Sequence, residues 1–435
     1  MPRKKSANKE EETKEPVEEE IAKEEGNDVE KEQPVLNIGM VGHVDHGKTT
    51  LLERLSGKWA DTHSEEIRRG ITIRLGYADV VFRKCKKCNE YTVKKKCPAC
   101  GGETIALKKV SFVDAPGHES LMATMLAGAT IMDGALLLIS ANESCPQPQT
   151  REHLMALEII GVKNIVIVQN KIDLVSEEQA VKNYEQIKEF VKGTKYENAA
   201  IIPVSAQHSV GLSALIEAIG EHIKMPARDA EKEPIMLIAR SFDINKPGIN
   251  VDDVVGGILG GSLKQGKLKK GEEVEIRPGY ERVEKNKSVW KPIKTRIAAL
   301  KTGGMDVDEV YPGGSIGVLT LLDPSVVQSD KLTGSVLGLA GKLPPVWNEL
   351  VLEVTLLQRV VGAKEELTVQ PVKMGETMML NVNSSATVGI VTELRKNAIK
   401  CKLKLPVCAA IGSRVTISRM ISNRFRLIGY GIIKE

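Results

Sequence analysis

The sequence predicts an α/β domain followed by two all-β barrel domains. In the first half of the chain, short apolar runs alternate with helical stretches, which is typical of a parallel sheet wrapped by helices. The runs are Val35 to Val41, Val110 to Val113, Ala135 to Ile139, Ile165 to Gln169 and Ile201 to Val204. Beyond about residue 230, helical periodicity is scarce and Gly-Gly pairs separate short strand-like runs, a pattern that indicates small barrels.

Composition and proline positions give the domain boundaries. Residues 1–34 hold seven Lys or Arg against twelve Asp or Glu and no aromatic residue, so they are expected to form a disordered charged tail. The α/β domain is expected at 35–230, with a linker around Pro226 to Pro234. The barrels are expected at 231–344 and 345–435, because the adjacent Pro344 and Pro345 cannot continue a central strand.

Composition also narrows the class of protein. The chain has 435 residues, 42% hydrophobic and 27% charged, and no apolar run approaches the roughly 20 residues that a membrane helix needs. The N-terminus lacks the apolar core of a signal peptide, and four of the seven cysteines form a metal-like pattern. We therefore expect a cytoplasmic protein. The formal net charge is +4, and the body that follows the acidic tail is basic, a weak indication of nucleic-acid binding.

A phosphate-binding motif follows the first apolar run. Gly42 to Thr49 reads G-x-x-x-x-G-K-T, and the residues from Thr50 onward read as the start of a helix. Glycines let such a loop turn tightly and point its N–H groups at phosphate oxygens, aided by the helix dipole. Lys48 would reach the outer phosphates, and the Thr49 hydroxyl would ligate Mg²⁺.

Two later motifs predict that the base is guanine. Asn170, Lys171, Ile172 and Asp173 follow a strand-like run, at the edge where open sheets bind ligands. The Asp173 carboxylate can accept from two guanine donors, whereas adenine would leave a buried polar group unpaired at a cost of about 1–3 kcal/mol. Ser205, Ala206 and Gln207 match the base-supporting loop of GTPases. The predicted GTP-binding residues are Asp45, His46, Gly47, Lys48, Thr49, Thr50, Gly117, Asn170, Lys171, Asp173, Ser205, Ala206 and Gln207.

Two segments are expected to respond to the γ-phosphate. Asp114-Ala115-Pro116-Gly117-His118 follows a strand-like run, so Asp114 would hold Mg²⁺ through water while the Gly117 N–H contacts the γ-phosphate. The second segment runs from Glu66 to Ile73. Its Thr72 would complete the Mg²⁺ shell when GTP is bound, and the segment would be released after hydrolysis.

Four cysteines form two C-x-x-C pairs within the insert 84–101: Cys85, Cys88, Cys97 and Cys100. Four thiolates at this spacing fit one tetrahedral Zn²⁺, and a site closed by four protein ligands is structural. A redox-active C-x-x-C pair is the alternative reading. The insert is rich in lysine, which would partly neutralise the thiolates.

The order of these motifs resembles the translational GTPases. The stretch Ala141 to His153 is more specific and resembles the gamma subunit of archaeal and eukaryotic initiation factor 2, as do Phe242 to Gly248, Gly256 to Leu263 and Leu343 to Trp347. The resemblance covers almost everything after residue 35. It implies an α/β P-loop GTPase domain followed by two all-β barrel domains.

The same resemblance implies the function and partners. Such a subunit is a GTPase that binds methionylated initiator tRNA in its GTP state, delivers it to the small ribosomal subunit and hydrolyses GTP on release. It assembles with the alpha and beta subunits. By the resemblance, His118 would position the attacking water, and Asp45 with the Gly70 carbonyl would hold a second Mg²⁺. The magnesium residues are then Asp45, Thr49, Gly70, Thr72 and Asp114.

Two other functions share this domain plan. One is a selenocysteine-specific elongation factor, which usually has a further C-terminal region; the other is the GTPase subunit of sulfate adenylyltransferase. Neither accounts for the cysteine insert as well. A basic run on the first barrel could contact the tRNA backbone or be a solvated face; its residues are Lys264, Lys267, Lys269, Lys270 and Arg277.

Overall fold

The computed structural model describes residues 29–57, 72, 74–246, 248–284, 287–361 and 367–434. Most of the predicted tail and the predicted ligand Gly70 lie outside the described residues. The chain forms an α/β domain and two β-barrels, as the sequence predicted. No helix in the described ranges is long and apolar enough to cross a membrane.

The first domain is built on a seven-stranded sheet in the order β3-β2-β4-β1-β5-β6-β7. Its strands are β1 Asn37–Gly42, β2 Gly76–Cys85, β3 Tyr91–Thr92, β4 Thr104–Asp114, β5 Gly134–Ser140, β6 Asn164–Asn170 and β7 Ile201–Pro203. Strands β4, β1, β5, β6 and β7 are parallel to one another, as expected. Strand β2 is antiparallel to β3 and β4, because the insert reverses the chain between β2 and β4 without a crossover helix.

Helices cover both faces of this sheet. They are α1 Lys48–Ser56, α2 Met122–Ala129, α3 Pro148–Ile160, α4 Glu177–Val191 and α5 Leu212–His222, with 3-10 helices at Val29–Lys31, Glu119–Leu121 and Ile172–Leu174. Neighbouring residues of the central strands point to opposite faces. Met40 therefore packs in one apolar cluster and Val41 in the other. This burial on both faces explains why the strands read as continuous apolar runs.

The first barrel is a closed ring in the order β11-β16-β8-β9-β15-β12, which pairs back to β11. Its elements are β8 Ile235–Phe242, the 3-10 helix Val251–Asp253, β9 Ile258–Gln265, β10 Leu268–Lys269, β11 Glu273–Glu284, β12 Lys287–Thr302, β13 Met305–Val307, β14 Glu309–Val310, β15 Ile316–Thr320, α6 Pro324–Val327, the 3-10 helix Gln328–Asp330 and β16 Val336–Leu339. Glycines allow close packing here: a Cβ on Gly261 would lie 1.9 Å from the Leu237 carbonyl oxygen.

The second barrel is also closed, in the order β17-β20-β19-β18-β21-β22. Its strands are β17 Val346–Leu356, β18 Thr377–Val382, β19 Ser385–Leu394, β20 Ala398–Cys408, β21 Arg414–Ile421 and β22 Arg424–Ile433. Alternate residues point inward, and each barrel has its own apolar core. A further apolar cluster joins all three domains, since it includes Leu157 of α3, Leu237 of β8 and Leu427 of β22.

The end of the predicted tail is ordered, which corrects its boundary. Residues 29–34 pack on the body of the protein instead of extending into solvent. Glu30 pairs with Arg83 and with Lys95, whose Nζ lies 3.0 Å from Oε2. The Lys109 ammonium donates to the Glu30 carbonyl oxygen at 2.9 Å. These contacts with cations of β2, β4 and the insert explain why an acidic segment is held here.

Candidate nucleotide and metal sites

The phosphate loop connects β1 to α1 in a conformation that requires glycine. Gly42 has φ +141°, and a Cβ on it would lie 2.4 Å from the Leu138 carbonyl oxygen. Gly47 has φ +87°, and its Cβ would lie 2.3 Å from Asn170 Nδ2. Helix α1 begins directly after Gly47, so its first N–H groups are available to a phosphate.

Two residues that are predicted to contact the outer phosphates, Lys48 and Gly117, meet at this loop. The Lys48 ammonium donates to the carbonyl oxygens of Gly42 at 3.0 Å and His43 at 2.7 Å. A Cβ on Gly117 would lie only 2.4 Å from Lys48 Nζ. Gly117 therefore allows the backbone after β4 to approach the ammonium group closely.

Three of the predicted magnesium residues converge from distant parts of the chain. Thr49 Oγ1 donates to Asp114 Oδ2 at 3.0 Å and lies 3.3 Å from Thr72 Oγ1. Neighbouring ligands of an octahedral Mg²⁺ lie about 2.9 Å apart, because each Mg–O distance is about 2.0–2.1 Å. These oxygens therefore fit an Mg²⁺ site in both chemistry and spacing. Asp45 has φ +59° in the same loop, and Gly70 lies outside the described residues.

Asn170 ties the base-binding loops to the phosphate loop. Its Nδ2 donates to the His46 carbonyl oxygen at 2.9 Å, and its Oδ1 accepts from the Ala206 N–H at 3.0 Å. Its side chain is therefore a buried bridge, whereas the sequence had indicated only that it belongs to the guanine pocket. Lys171 follows with φ +64°, a turn that directs the chain into the 3-10 helix containing Asp173.

Asp173 has a partner that the sequence did not predict. His208 Nε2 lies 3.7 Å from Asp173 Oδ2, and the His208 N–H donates to Ser205 Oγ at 3.3 Å. His208 comes directly after the Ser-Ala-Gln motif, so its position next to the motif was the available signal. Gln207 is exposed at the same loop.

His118 lies at the surface, next to Gly117. Its Nδ1 accepts from the Ser120 N–H at 3.3 Å, so the His118 side chain caps the 3-10 helix Glu119–Leu121. The same Nδ1 lies 2.8 Å from Ser120 Oγ. The exposed ring is therefore held by its own turn. Its role in positioning water stays a prediction.

His46, one of the predicted GTP-binding residues, lies with other side chains behind the phosphate loop, and the contacts within this group were not predicted. His46 is fully buried, with Nδ1 3.0 Å from the Leu138 carbonyl oxygen and Nε2 3.5 Å from Glu143 Oε2. Burial lowers the pKa of His46. His153 Nδ1 accepts from the Gly42 N–H at 2.9 Å. Glu143 and His153 belong to the specific stretch 141–153, but only the placement of α3 reveals which backbone group His153 contacts.

The four predicted zinc cysteines form one cluster. The sulfur atoms of Cys85, Cys88, Cys97 and Cys100 all lie within 4.8 Å of one another. A tetrahedral site with Zn–S bonds of about 2.3 Å separates its sulfurs by about 3.8 Å, so the cluster fits one Zn²⁺. N–H groups of Cys88 and Lys87 help to lower the pKa of the Cys85 thiol to about 6.

The two C-x-x-C turns are built alike. The Asn89 N–H donates to the Cys85 carbonyl oxygen at 3.1 Å, and the Gly101 N–H donates to the Cys97 carbonyl oxygen at 2.9 Å. Asn89 and Gly101 both have positive φ. Each turn thus directs a pair of sulfurs at the same point. Most of the lysines of the insert are exposed: Lys86, Lys87, Lys94, Lys95 and Lys96.

A cavity of about 970 Å³ separates β2 from the first barrel. Its walls include Arg74 and Leu75, two and three residues after Thr72. Arg240 of β8 also lines it and donates to the Leu75 carbonyl oxygen at 3.1 Å. Arg74 Nη1 lies 3.1 Å from Asp330 Oδ2 in the barrel. The segment that carries the predicted magnesium residue Thr72 therefore continues into the wall of this cavity.

Within the basic run on the first barrel, Arg277 makes more contacts with the protein than Lys267 and Lys269 do. Arg277 serves the fold, because its Nε lies 2.5 Å from Glu275 Oε1 and its Nη1 donates to the Leu343 and Pro344 carbonyl oxygens at 3.0 Å each. Lys267 and Lys269 pair with Glu231 at 3.7 Å and Glu309 at 3.5 Å. The structure therefore favours a structural role for Arg277 over contact with tRNA.

Comparisons with known proteins agree with this architecture. Residues 33–225 match the elongation factor Tu GTP binding domain, and residues 256–335 match elongation factor Tu domain 2. Residues 348–433 match the C-terminal domain of initiation factor eIF2 gamma. The fold and the nucleotide site define a translational GTPase, a hydrolase that acts on GTP.

Curated relatives specify the family. The chain is 58% identical to translation initiation factor 2 subunit gamma of Pyrococcus furiosus over 403 residues, which cover 93% of this chain and 98% of that protein. It is also 58% identical to the subunit of the same name from Methanocaldococcus jannaschii over 402 residues, 92% of this chain and 98% of that protein. The chain belongs to the family of translation initiation factor 2 gamma subunits.

Solved structures share the fold at low identity. The bacterial selenocysteine-specific elongation factor EF-Sec has a TM-score of 0.69 at 23% identity, covering 92% of this chain and 58% of that chain. Elongation factor SelB of Methanococcus maripaludis, in complex with the GTP analogue GppNHp, has a TM-score of 0.68 at 21% identity, covering 93% of this chain and 80% of that chain. At these identities the likeness shows the three-domain fold alone.

Proposed function

We propose that this subunit binds methionylated initiator tRNA in its GTP state, delivers it to the small ribosomal subunit and hydrolyses GTP on release. The observation that carries the proposal is the cavity of about 970 Å³ between β2 and the first barrel. This volume is at the upper end of the range for ligand sites, and such sites favour domain interfaces. The terminal nucleotide and amino acid of a charged tRNA suit its size.

The position of the cavity supports dependence on GTP. Thr72 meets Thr49 near the nucleotide site, and the next described residues, Arg74 and Leu75, form part of the cavity wall. A γ-phosphate that orders Thr72 through Mg²⁺ would therefore also fix this wall. GTP and GDP would bind to the same protein but favour different shapes of the cavity.

Each part of the nucleotide site has a proposed role. The N–H groups of the phosphate loop, residues 42–49, and the Lys48 ammonium would bind the phosphates, and the Asp173 carboxylate would select guanine. Thr49, Thr72 and, through water, Asp114 would hold Mg²⁺, which neutralises charge on the phosphates when bound. His118 would position the attacking water. The proposed second Mg²⁺ would use Asp45 and Gly70.

The proposed assembly follows the names of the relatives, which are gamma subunits. Alpha and beta subunits would complete a heterotrimer that acts in the cytoplasm, with the GTPase domain facing beta and the first barrel facing alpha. Zn²⁺ on the four cysteines would brace the insert. Its exposed lysines give that surface a positive charge.

The test is to purify the chain with alpha and beta subunits in a GTP analogue or in GDP and to sequence the RNA that stays bound. Initiator tRNA enriched with the analogue and depleted with GDP is the expected result. A different tRNA would support the selenocysteine-factor reading. The absence of bound RNA in both states would contradict tRNA delivery and support a metabolic GTPase subunit.

A further inference from the structure

His153 occupies an unusual position for a buried histidine. It lies on α3, is 1% exposed, and its Nδ1 accepts from the N–H of Gly42, the first glycine of the phosphate loop, at 2.9 Å. A core histidine whose only task is packing does not need a bond to a loop that binds ligand. The contact joins α3 directly to the residue at which β1 turns into the phosphate loop.

The chemistry of this contact requires a neutral ring. An imidazole nitrogen accepts a hydrogen bond only when it carries no proton, so the proton of His153 is on Nε2. Burial lowers the pKa of His153 to about 3, with further contributions from Lys48, His43 and His46. His153 is therefore a stable acceptor at neutral pH.

The other side of Gly42 is also held. Its carbonyl oxygen accepts from Lys48 Nζ at 3.0 Å, while its N–H donates to His153. Gly42 has φ +141°, and a Cβ there would lie 2.4 Å from the Leu138 carbonyl oxygen. The orientation of this residue thus depends on two hydrogen bonds, and one of them directs the ammonium group that is to bind phosphate.

We propose that His153 is a positioning residue for GTP and GDP: it fixes the Gly42 amide and, through the Gly42 carbonyl, the position of the Lys48 ammonium. This role goes beyond the proposed tRNA delivery, because it concerns nucleotide binding alone. Without the acceptor, the buried Gly42 N–H lacks a partner, and the loop can reach other conformations that bind phosphate less well.

Three substitutions distinguish positioning from packing. In asparagine, Oδ1 branches from Cγ as Nδ1 does in histidine, so His153→Asn keeps an acceptor where Gly42 needs it. In His153→Gln the amide oxygen lies one atom farther along, near the place of Nε2. His153→Ala has no acceptor. In titrations of the full-length protein with a fluorescent GDP analogue, we expect His153→Ala to weaken the affinity for GDP about tenfold, equal to 1.4 kcal/mol.

The conservative variant provides the decisive comparison. His153→Asn should bind GDP within about threefold of wild type, while His153→Gln should resemble His153→Ala. Leu154→Ala is the matched control, because Leu154 is buried on the same helix in the shared apolar cluster. It should lower the melting temperature but leave GDP affinity unchanged. If His153→Ala does not fold, the comparison of His153→Asn with His153→Gln still shows whether the acceptor at Nδ1 is needed.

Either of two outcomes would overturn the role. In the first, His153→Ala binds GDP with the affinity of the wild type. In the second, His153→Asn binds GDP as weakly as His153→Gln does. If the wild-type protein does not bind tRNA, the proposed delivery function is refuted, but this comparison of nucleotide affinities is not affected. Lys48→Ala removes the ammonium itself and should also weaken GDP binding, which checks that the titration is sensitive to changes in the phosphate loop.

Discussion

The C-terminal barrel is attached to the GTPase domain by a buried ion pair, so replacing Arg426 with alanine should loosen the attachment. Arg426 lies on β22, on the barrel side of the interface. Its Nη1 donates to Glu152 Oε1 on α3 at 2.5 Å. Glu152 is 2% exposed, and its Oε2 has no hydrogen-bond partner among the described residues. The substitution would leave a carboxylate that neither water nor an arginine stabilises.

The expected loss of stability is about 3–5 kcal/mol, the usual cost of removing one member of a buried pair. An exposed pair would cost only about 0.2–1 kcal/mol. Burial raises the pKa of Glu152, although the hydrogen bond and charge of Arg426 oppose the rise. Removing Arg426 should raise this pKa further.

The pH dependence follows from the direction of that shift. A carboxyl whose pKa is higher in the folded state than in the unfolded state destabilises the fold when ionised, and this cost disappears as pH falls through the folded pKa. The penalty of Arg426→Ala, measured against wild type at the same pH, should therefore be largest near about pH 8 and smaller near about pH 5.

The assay is denaturant unfolding followed by the fluorescence of Trp347, which lies on β17 of the same barrel. Trp59 and Trp290 are replaced by phenylalanine in every protein compared. Glu152→Gln combined with Arg426→Ala is the control, since it removes the buried charge and should recover more than half of the loss. A penalty below about 1 kcal/mol, or one that grows on acidification, would refute the reasoning.

Four further predictions test the proposed sites. Asp173→Asn should shift preference from guanine to xanthine nucleotides, because the new amide can donate to the 2-oxo group; a nucleotide titration measures it. Replacing the four cysteines with serine should abolish bound zinc in metal analysis but leave GDP binding intact. His118→Ala should keep GTP and tRNA binding but slow hydrolysis on ribosomal complexes, each 1.36 kcal/mol of lost positioning being about tenfold. Thr72→Ala should weaken tRNA binding in the GTP state and retain GDP binding, since it removes the proposed ligand of the GTP-bound Mg²⁺.

Each of these has a result that contradicts it. Unchanged base preference would remove Asp173 from the guanine pocket, and a zinc-free wild type would end the metal assignment. Hydrolysis at the wild-type rate by His118→Ala would exclude its role with water. Normal tRNA binding by Thr72→Ala would show that the cavity does not respond to this residue.

The sequence could predict the meeting of Thr49 and Asp114, which are far apart in the chain. Both follow apolar runs that predict parallel strands, and the carboxyl ends of neighbouring parallel strands meet at one edge of the sheet. The structure places β1 beside β4 and Thr49 Oγ1 3.0 Å from Asp114 Oδ2. When two motifs each follow a predicted parallel strand, the sequence order of the strands and helices is therefore enough to predict that the motifs lie at the same edge of the sheet.

Contacts made by helices could not be predicted in the same way. Which backbone group His153 contacts depends on the rotation and height of α3 against the sheet, and sequence periodicity gives neither with the accuracy of a hydrogen bond. The antiparallel β2 was missed because the insert that reverses the chain reads only as a metal motif. The ordering of Glu30 depends on Arg83 and Lys95, which a local reading of an acidic segment does not include.

The two closed barrels have a mechanical consequence. In a closed ring every strand has neighbours on both sides, so bending one barrel would break hydrogen bonds all around it. Each barrel should therefore move as a rigid body, and rotation should be concentrated in the linkers that precede β8 and β17. An arginine fastens each linker: Arg228 donates to the Val35 and Pro312 carbonyl oxygens at 2.7 and 3.0 Å, and Arg277 donates to those of Leu343 and Pro344. Reorientation of the domains should therefore require breaking the hydrogen bonds of these two arginines and the contacts between domains, rather than deforming the barrels.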